Sequence, residues 1–406
     1  MPRSRRSIPA LVVAAAVLVG GCSSDGGGRA PAAGPAPSVA ASRASVGAVQ
    51  SAASILRANL TTLLQEHVYL TTATAATAIA AQDPAPASAV LDANSVKLSY
   101  VIGAVYGEAG AAQFLDLWRR HIGLLLDFAR SSAAADEAGT SAAKEGLVAY
   151  QEQFASFLNT ANPNLAKAAM VADQKSYLGG LQSAITALAT GDAAAPAKVK
   201  TAAEHMARTA TVLVAGITKN HPGMFEGRVD GSAATLRSVL AAKFQEHAYL
   251  SWIAAGVIAE GGDAKDAVEA VDENSVELAN IIGSTYGDEA AKTFLELWRV
   301  QVVSYVDYAR ARSAGDTTGA PAAAGRLAAE PGKVAAFLHA ANPYLDQAAL
   351  TADLSAHSRA LLAAIDAQAV GAPSRFADIS AAASAAPGMA ARLSTGIATQ
   401  FPARFS

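Results

Sequence analysis

The sequence predicts an all-α protein built as two tandem antiparallel bundles, each of five to six helices. Three observations lead to this fold class. The chain is rich in alanine, which favours helices, and aromatic residues make up only 6% of it, whereas strands are enriched in aromatic and β-branched residues. Apolar residues recur at spacings of three and four, as on one face of a helix. Finally, the sequence matches itself at an offset of 180 residues.

The N-terminus has the three parts of a bacterial lipoprotein signal. Three arginines within the first six residues precede an apolar stretch at 8–18, which is too short to span a bilayer but has the length of a secretory signal. Cys22 follows two glycines where cleavage is expected, in the pattern of a lipobox. We therefore predict a signal peptide at 1–21 and Cys22 as the lipidated first residue of the mature chain. The alternative is an ordinary signal peptide with a cysteine nearby.

This signal predicts where the protein is found. Acyl chains such as palmitate on Cys22 would anchor the protein to the cell membrane, on its extracytoplasmic face. Residues 22–44 are mostly glycine, alanine, proline and serine, and such a segment is predicted to be a flexible tether. The single cysteine excludes a disulfide framework, and the net charge of −3 provides no basic patch for nucleic acid.

The body of the chain is a tandem duplication of one unit. Gln65–Leu70 returns at 245–250, and Phe114–Arg119 returns at 294–299. A shared register over this distance cannot come from composition alone, so we predict a helical bundle repeat at 45–228 and a second at 229–406. The period is much longer than the 20–50 residues of solenoid repeats, so each unit is long enough to form a bundle of its own.

Within the first unit, apolar spacing and helix-end signals predict the helices in order. Faces of apolar residues mark the first three helices: Leu56, Leu60, Leu63 and Leu70, then Leu91, Leu98, Val101 and Val105, then Phe114, Trp118, Leu125 and Phe128. Thr140 is predicted to cap a fourth helix that ends near Asn162. Two further helices are predicted at about 166–190 and 194–219, separated by a Gly-Asp pair.

Several polar side chains lie on these apolar faces and are the chemical clue. In the first unit they are His67, Asn94, His121 and Tyr177, and in the second unit they are His247, Asn274, Gln301 and His357. An unpaired buried polar group costs roughly 1–3 kcal/mol, so these groups must bond one another, water or a ligand. One interpretation is a polar network that fixes helix register. The other is a metal or small-ligand site at the centre of each bundle.

The identity of any metal is open at this stage. Zinc takes three or four ligands of histidine, cysteine or carboxylate type. Copper can add methionine: Met170 lies seven residues before Tyr177 on the same helix face, and Met206 follows His205, so either could join His67 and His121. Haem is a further alternative. The adjacent pair Glu66 and His67 is about 100° apart on a helix, so both side chains cannot easily face one ion.

The charged neighbours of these residues repeat as well. Arg119 with Asp92, and Arg299 with Asp272, are predicted to form ion pairs between helices. We expect such pairs to be structural, because exposed ion pairs contribute only about 0–1 kcal/mol.

Glu66-His67, Asp92, Asn94, Tyr106-Gly107 and Trp118-Arg119 together resemble a group of secreted helical proteins from Gram-positive bacteria, of actinobacterial type, built from one or two such repeats. Some similar sequences carry labels from an attached domain of copper amine oxidase type. No amine oxidase motif accompanies the repeats here, so the resemblance implies a helical fold and an extracytoplasmic location and implies no activity.

No hydrolase elbow, phosphate-binding loop or dinucleotide fingerprint is present in the sequence. We therefore expect a lipid-anchored extracytoplasmic protein that acts as a non-enzymatic binding or interaction module of the cell envelope, without a cofactor. Its partner or small ligand is not named by the sequence. The alternative is a bundle whose inward histidines bind a metal, as copper or haem.

Overall fold

The computed structural model describes residues 39–405, and all of its regular elements in this range are helices, as predicted. The signal peptide and Cys22 lie outside these residues. In chain order the helices are α1 (Val39–Val49), α2 (Ala52–Ile79), α3 (Ala85–Ala133), α4 (Glu137–Ala161), α5 (Lys167–Thr190), α6 (Ala195–Asn220), α7 (Ser232–Ala259), α8 (Lys265–Tyr286), α9 (Asp288–Ser313), α10 (Gly319–Ala341), α11 (Gln347–Ala369), α12 (Arg375–Ala383) and α13 (Ala386–Gln400), followed by a short 3₁₀ turn at Pro402–Arg404.

Two of the predicted boundaries differ from the structure. Helix α1 begins at Val39, so the end of the predicted tether, 39–44, is helical. Helix α4 is capped by Asp136, whose side chain accepts a hydrogen bond from the Gly139 amide at 3.0 Å. Thr140, the predicted cap, instead donates to the Ser131 hydroxyl at 3.1 Å. A short acidic side chain just before the helix is an equally good cap and starts the helix one turn earlier.

A glycine reverses the chain between the second and third predicted helices of each repeat. Gly107 has φ 82° and ψ 175°, and it divides α3 into two segments. Gly287 has φ 90° and ψ 171°, and it separates α8 from α9. Backbone in this region of φ and ψ is open essentially to glycine alone. The reversal makes the flanking helices antiparallel neighbours.

The predicted ion pairs span these neighbouring helices. Arg119 donates to both carboxylate oxygens of Asp92 at 2.7 and 2.9 Å, and Arg299 donates to Asp272 at 2.6 and 2.7 Å. The predicted contacts are therefore confirmed, and because both pairs lie about half exposed to solvent we expect them to add little stability.

Helices α2 and α7 pack against each other and run parallel. The Thr61 and Ser238 hydroxyls are 2.9 Å apart, and further along the same helices the rings of Tyr69 and Tyr249 stack with centroids 4.6 Å apart. Tyr69 and Tyr249 occupy the same position of the two repeats, so the repeats are related by an approximate twofold axis along these helices. Both helices are consequently buried on nearly all sides, whereas the leucine pattern predicted one buried face for the first helix.

The two repeats form one compact unit. Buried apolar residues of both repeats belong to a single core, and the boundary predicted at 228/229 falls in the connection between α6 and α7. Arg57 of α2 ties down this connection by donating to the Val229 carbonyl at 2.6 Å and to Thr235 at 2.8 Å. The all-α class is therefore confirmed, but an arrangement of two separate bundles is not.

We expect Gly107→Ala to lower the free energy of unfolding by about 1–3 kcal/mol, because alanine is strained in this backbone conformation. The matched control is Gly123→Ala, since an added Cβ there meets no atom within 4 Å and the site is helical. This control should leave stability unchanged or raise it by up to about 1 kcal/mol. Urea unfolding followed by circular dichroism measures both, and an unchanged midpoint in Gly107→Ala would contradict the assignment of the turn.

Candidate functional site

A pair of histidines lies at the centre of the first repeat. His67 of α2 and His121 of α3 are completely buried, and their Nε2 atoms are 3.1 Å apart. Trp118 packs against both rings, with centroids 4.6 and 4.5 Å away, and Tyr150 of α4 stacks on His121 at 4.9 Å. The convergence of these two histidines, predicted from their apolar faces, is present in the structure.

Both histidines of this pair are neutral. Burial lowers the pKa of His67 well below its usual value, and the neighbouring His121 lowers it further. Burial lowers the pKa of His121 to about 3, although backbone carbonyls of its own helix oppose the shift. One ring therefore donates its Nε2 hydrogen to the Nε2 lone pair of the other. Neutral imidazole is also the form that binds metals.

Other polar atoms around the pair lack hydrogen-bond partners within residues 39–405. They are Nδ1 of His67 and of His121, Trp118 Nε1, the hydroxyls of Tyr150 and Tyr177, and Gln174 Oε1. Burial raises the pKa of both tyrosines, so their hydroxyls remain protonated and can donate. Tyr177, predicted at this centre, is thus buried there with its ring 6.4 Å from that of His121, but it does not bond to the histidine pair.

The second repeat arranges the equivalent positions differently. Gln301 donates to the Tyr305 hydroxyl at 3.2 Å and to Ser358 at 3.1 Å, and Tyr305 bonds Ser358 at 3.0 Å. His247 is left with neither ring nitrogen bonded in the described part of the chain, and its ring lies 6.0 Å from that of His357. Burial lowers the pKa of His247 to about 3 and that of His357 to about 4.

Sequence reasoning missed Tyr305 and Ser358, which complete this arrangement. The offset of 180 residues carries a signal for them, since Leu125 and Leu178 of the first repeat become Tyr305 and Ser358. Tyr305 lies one helical turn after Gln301, and Ser358 follows His357 directly. Because both positions are apolar in the first repeat and polar in the second, they indicate a hydrogen-bonded group shared with Gln301.

Asn94 and Asn274 are buried, as their apolar faces predict, but they bond glutamates and do not contact the histidines. Asn94 donates to Glu66 Oε2 at 2.9 Å, and Asn274 donates to Glu246 Oε1 at 2.9 Å. The angle of about 100° between adjacent side chains on a helix gives the reason. While His67 faces the centre of its own repeat, Glu66 turns toward the interface of α2 with α7.

The carboxylate of Glu66 is held by neutral donors from both repeats. Besides Asn94, the Tyr249 hydroxyl donates to Glu66 Oε1 at 3.1 Å, and the Ser380 hydroxyl of α12 donates to the same oxygen at 2.6 Å. Glu66 is buried, and within residues 39–405 no lysine or arginine lies within ion-pairing distance of it. Hydrogen bonds alone therefore satisfy this carboxylate.

The equivalent carboxylate, Glu246, lies in an ion network. Lys243 Nζ is 2.9 Å and Lys200 Nζ is 3.8 Å from Glu246 Oε1. The same two lysines also contact Glu204 and Glu277 at 2.6–2.9 Å. At the corresponding places around Glu66 the chain has Ser380 in place of Lys200 and Leu63 in place of Lys243. The two sides of the interface thus differ in charge.

The electrostatics of this network follow from its burial. Burial raises the pKa of Glu246 to about 7, against the opposing effect of the two lysines. One carboxylate oxygen each of Glu204, Glu246 and Glu277 lies within 4.8 Å of the other two. This spacing would allow the three oxygens to bind one metal ion. Because ammonium groups already contact all three carboxylates, we interpret the cluster as an ion network that joins the repeats.

Two open clefts on the surface are lined by other residues. One, of about 730 Å³, lies between α3 and α4 in the first repeat. The other, of about 690 Å³, is bounded by α1, the connection between the repeats and Phe405. The histidine pairs line neither cleft.

Comparisons with known proteins add no identification. No protein-family model matches the chain, and no curated protein or solved structure matches it. The resemblance to secreted Gram-positive repeat proteins therefore stays a prediction from sequence motifs. Among the helices between residues 39 and 405, none combines the length and apolar character needed to cross a membrane.

The buried histidines predict that the protein loses stability in acid. Their pKa values in the native state are about 3 for His121 and His247 and about 4 for His357, against an ordinary value of 6.5. As the pH falls below 6.5, the unfolded chain binds protons that the native state does not. Each group therefore removes up to about 1.4 kcal/mol of stability per pH unit. Glu246 acts in the opposite direction between about pH 7 and its ordinary pKa of 4.5, but it is one group against several.

His121→Gln is the variant that tests this effect, because the second repeat already has glutamine at the equivalent position. We expect the variant to show a shallower loss of unfolding free energy between pH 6.5 and 4.5 than the parent protein. Urea titrations at several pH values give the slopes. Equal slopes in the two proteins would show that His121 does not remain neutral in the native state.

Proposed function

We propose that the protein is a lipid-anchored, extracytoplasmic binding module of the cell envelope and that it is not an enzyme. The observation that supports binding over catalysis is the burial of its titratable core. His67, His121 and His247 are each 0% exposed, and His357 is 2% exposed. A general acid or base must reach its substrate within hydrogen-bond distance, and these rings contact only protein. The open clefts, which a ligand can enter, are lined by other residues.

The anchor rests on the signal in the sequence. A basic head, an apolar stretch and a cysteine after two small residues occur in that order. The acyl chains on Cys22 would hold the protein at the membrane, with the compact helical body displayed outside the cell. In this proposal the body is a rigid scaffold, and its surface carries the interaction.

The test of the anchor is Cys22→Ser expressed in a bacterium with a lipoprotein-processing pathway. We expect the parent protein to incorporate an alkyne-labelled palmitate and to partition into the detergent phase of Triton X-114. The variant should incorporate no label and leave the membrane fraction or remain unprocessed. Labelled acyl chains on the variant, or a parent protein that is cleaved without being labelled, would refute lipidation at Cys22.

The histidine pair of the first repeat supports a second candidate function, the binding of a metal ion. Two nitrogens bound at about 2.0–2.1 Å to one tetrahedral ion are about 3.3 Å apart, close to the 3.1 Å between His67 Nε2 and His121 Nε2. Both rings are neutral, and the ring that carries the Nε2 hydrogen coordinates an ion only after this hydrogen moves to its Nδ1. The unpartnered hydroxyls of Tyr150 and Tyr177 are potential further donors nearby.

The same geometry favours a bare zinc or copper ion over haem. Axial nitrogens on opposite sides of a haem iron are about 4 Å apart, with a porphyrin between them. The space next to Trp118 in the first repeat has a volume of only about 30 Å³, which is too small for a porphyrin. Met206 lines that space, and Met170 is buried in the same core. No contact of either methionine with His67 or His121 supports it as a ligand.

Metal analysis of the purified protein after separate reconstitution with zinc and copper tests this candidate. We expect one equivalent of metal in the parent protein, a loss of it in His121→Gln, and its retention in the matched variant His357→Gln of the second repeat. Circular dichroism establishes that both variants are folded. Substoichiometric metal in the parent, or full retention in His121→Gln, would eliminate the metal site and leave a structural polar core.

A further inference from the structure

The cleft between α3 and α4 of the first repeat has the dimensions of a ligand site. Its volume of about 730 Å³ lies within the range of roughly 300–1,000 Å³ that small-molecule sites occupy. Two aromatic side chains, Tyr106 and Phe157, and the aliphatic Leu117 form its apolar part. The polar lining consists of amides, hydroxyls and one carboxylate: Gln113, Gln153, Ser156, Thr160 and Glu152.

Part of this polar lining is free to bind. The side chains of Gln113, Ser156 and Thr160 are exposed or half exposed, and they make no hydrogen bond to another group of residues 39–405. The charged group is already neutralised, since Lys167 lies 3.0 Å from Glu152. Gln153 accepts a hydrogen bond from Arg120 at 2.9 Å and keeps its amide NH₂ as a donor. The cleft thus offers uncharged donors and acceptors beside an apolar wall.

The second repeat provides an internal comparison for this lining. The aromatic pair is kept there as Tyr286 and Phe337, so the apolar wall belongs to the shared fold. The polar residues are not kept: Glu152, Ser156 and Thr160 become Gly332, Ala336 and Ala340, and Gln113 and Gln153 become Thr293 and Lys333. Since α9 and α10 form the same helix pair without these groups, folding does not require them. A role in binding explains why the first repeat has them.

We propose that this cleft binds a neutral carbohydrate chain. A sugar ring presents hydroxyl or acetamido groups at its edge, which match amide and hydroxyl partners, and it presents apolar C–H faces, which match the half-buried side chains of Tyr106 and Leu117. The cations beside the cleft, Arg120 and Lys167, already bond Gln153 and Glu152, so the lining offers no unpaired charge to an anionic or a cationic ligand. The proposal deepens the binding function above, which places the cleft outside the cell among the glycans of the envelope.

The experiment titrates the detergent-solubilised mature protein with a neutral tetrasaccharide of N-acetylglucosamine, using calorimetry. The variant Gln113→Thr/Ser156→Ala/Thr160→Ala gives these three positions the residues that the second repeat has there. We expect saturable binding by the parent and an affinity at least about tenfold weaker in the variant, since three hydrogen bonds are lost. The matched control Ser176→Ala/Thr201→Ala removes exposed hydroxyls from α5 and α6 and should bind like the parent.

Two results would overturn the proposal. One is the absence of saturable binding by the parent, and the other is equal affinity in the triple variant. Tighter binding of the fully deacetylated, cationic tetrasaccharide would overturn the neutral character of the ligand. A parent protein that is cleaved without incorporating labelled palmitate but still binds the tetrasaccharide would refute the anchor alone and leave the carbohydrate site standing, so the two failures can be told apart.

Discussion

The parallel packing of α2 against α7 with a carboxylate from each helix buried at the interface is the constraint on which the rest of the structure depends. Removing a carboxylate from water costs several kcal/mol unless hydrogen bonds or opposite charges compensate it. Asn94 and Asn274 supply one such bond to Glu66 and Glu246, and this fixes α3 and α8 relative to the central helices. Tyr249 donates across the interface to Glu66 and Gln65 donates across it to Glu246, so neither repeat satisfies its carboxylate alone.

The approximate twofold axis also explains which differences between the repeats are possible. Position 200 of the first repeat faces the carboxylate of the second, and Ser380 faces the carboxylate of the first. Because Lys200 and Ser380 contact different carboxylates, one of these equivalent positions can be lysine while the other is serine. The histidine centres diverge in the same way: His121 bonds His67, whereas Gln301 turns to Tyr305. The duplicated chain is thus one body with unlike halves.

Much of this fold follows from the sequence, because local signals are strong. The helices and their order are readable from apolar spacing, and the offset of 180 residues shows the duplication. The packing of α2 against α7 is not readable, since helix periodicity reports that a face is buried and not what covers it. Leu56 and Leu63 were for that reason expected on a single buried face of a helix that is in fact enclosed on nearly all sides.

The candidate site divides along the same line. Spacing brings His67 and His121 to one core, and the structure places them in contact. Asn94 has the same spacing but bonds to Glu66 and not to the adjacent His67. Helix spacing does not show which of these two neighbouring side chains Asn94 faces, because that depends on how α3 packs against α2. The substitution of Lys200 by Ser380 is visible in the aligned repeats, but its meaning is not, because each of these residues contacts the other repeat.

Cooperative unfolding of the two repeats tests the central claim most directly. Trp118 reports on the first repeat, while Trp252 and Trp298 report on the second, so Trp118→Phe and Trp252→Phe/Trp298→Phe leave fluorescence from one repeat each. In each variant the urea midpoint from fluorescence should coincide with the midpoint from circular dichroism, which reports on all helices. Fluorescence transitions that separate from the helical transition, with a plateau between them, would show that the repeats are independent bundles and would contradict a single body built on α2 and α7.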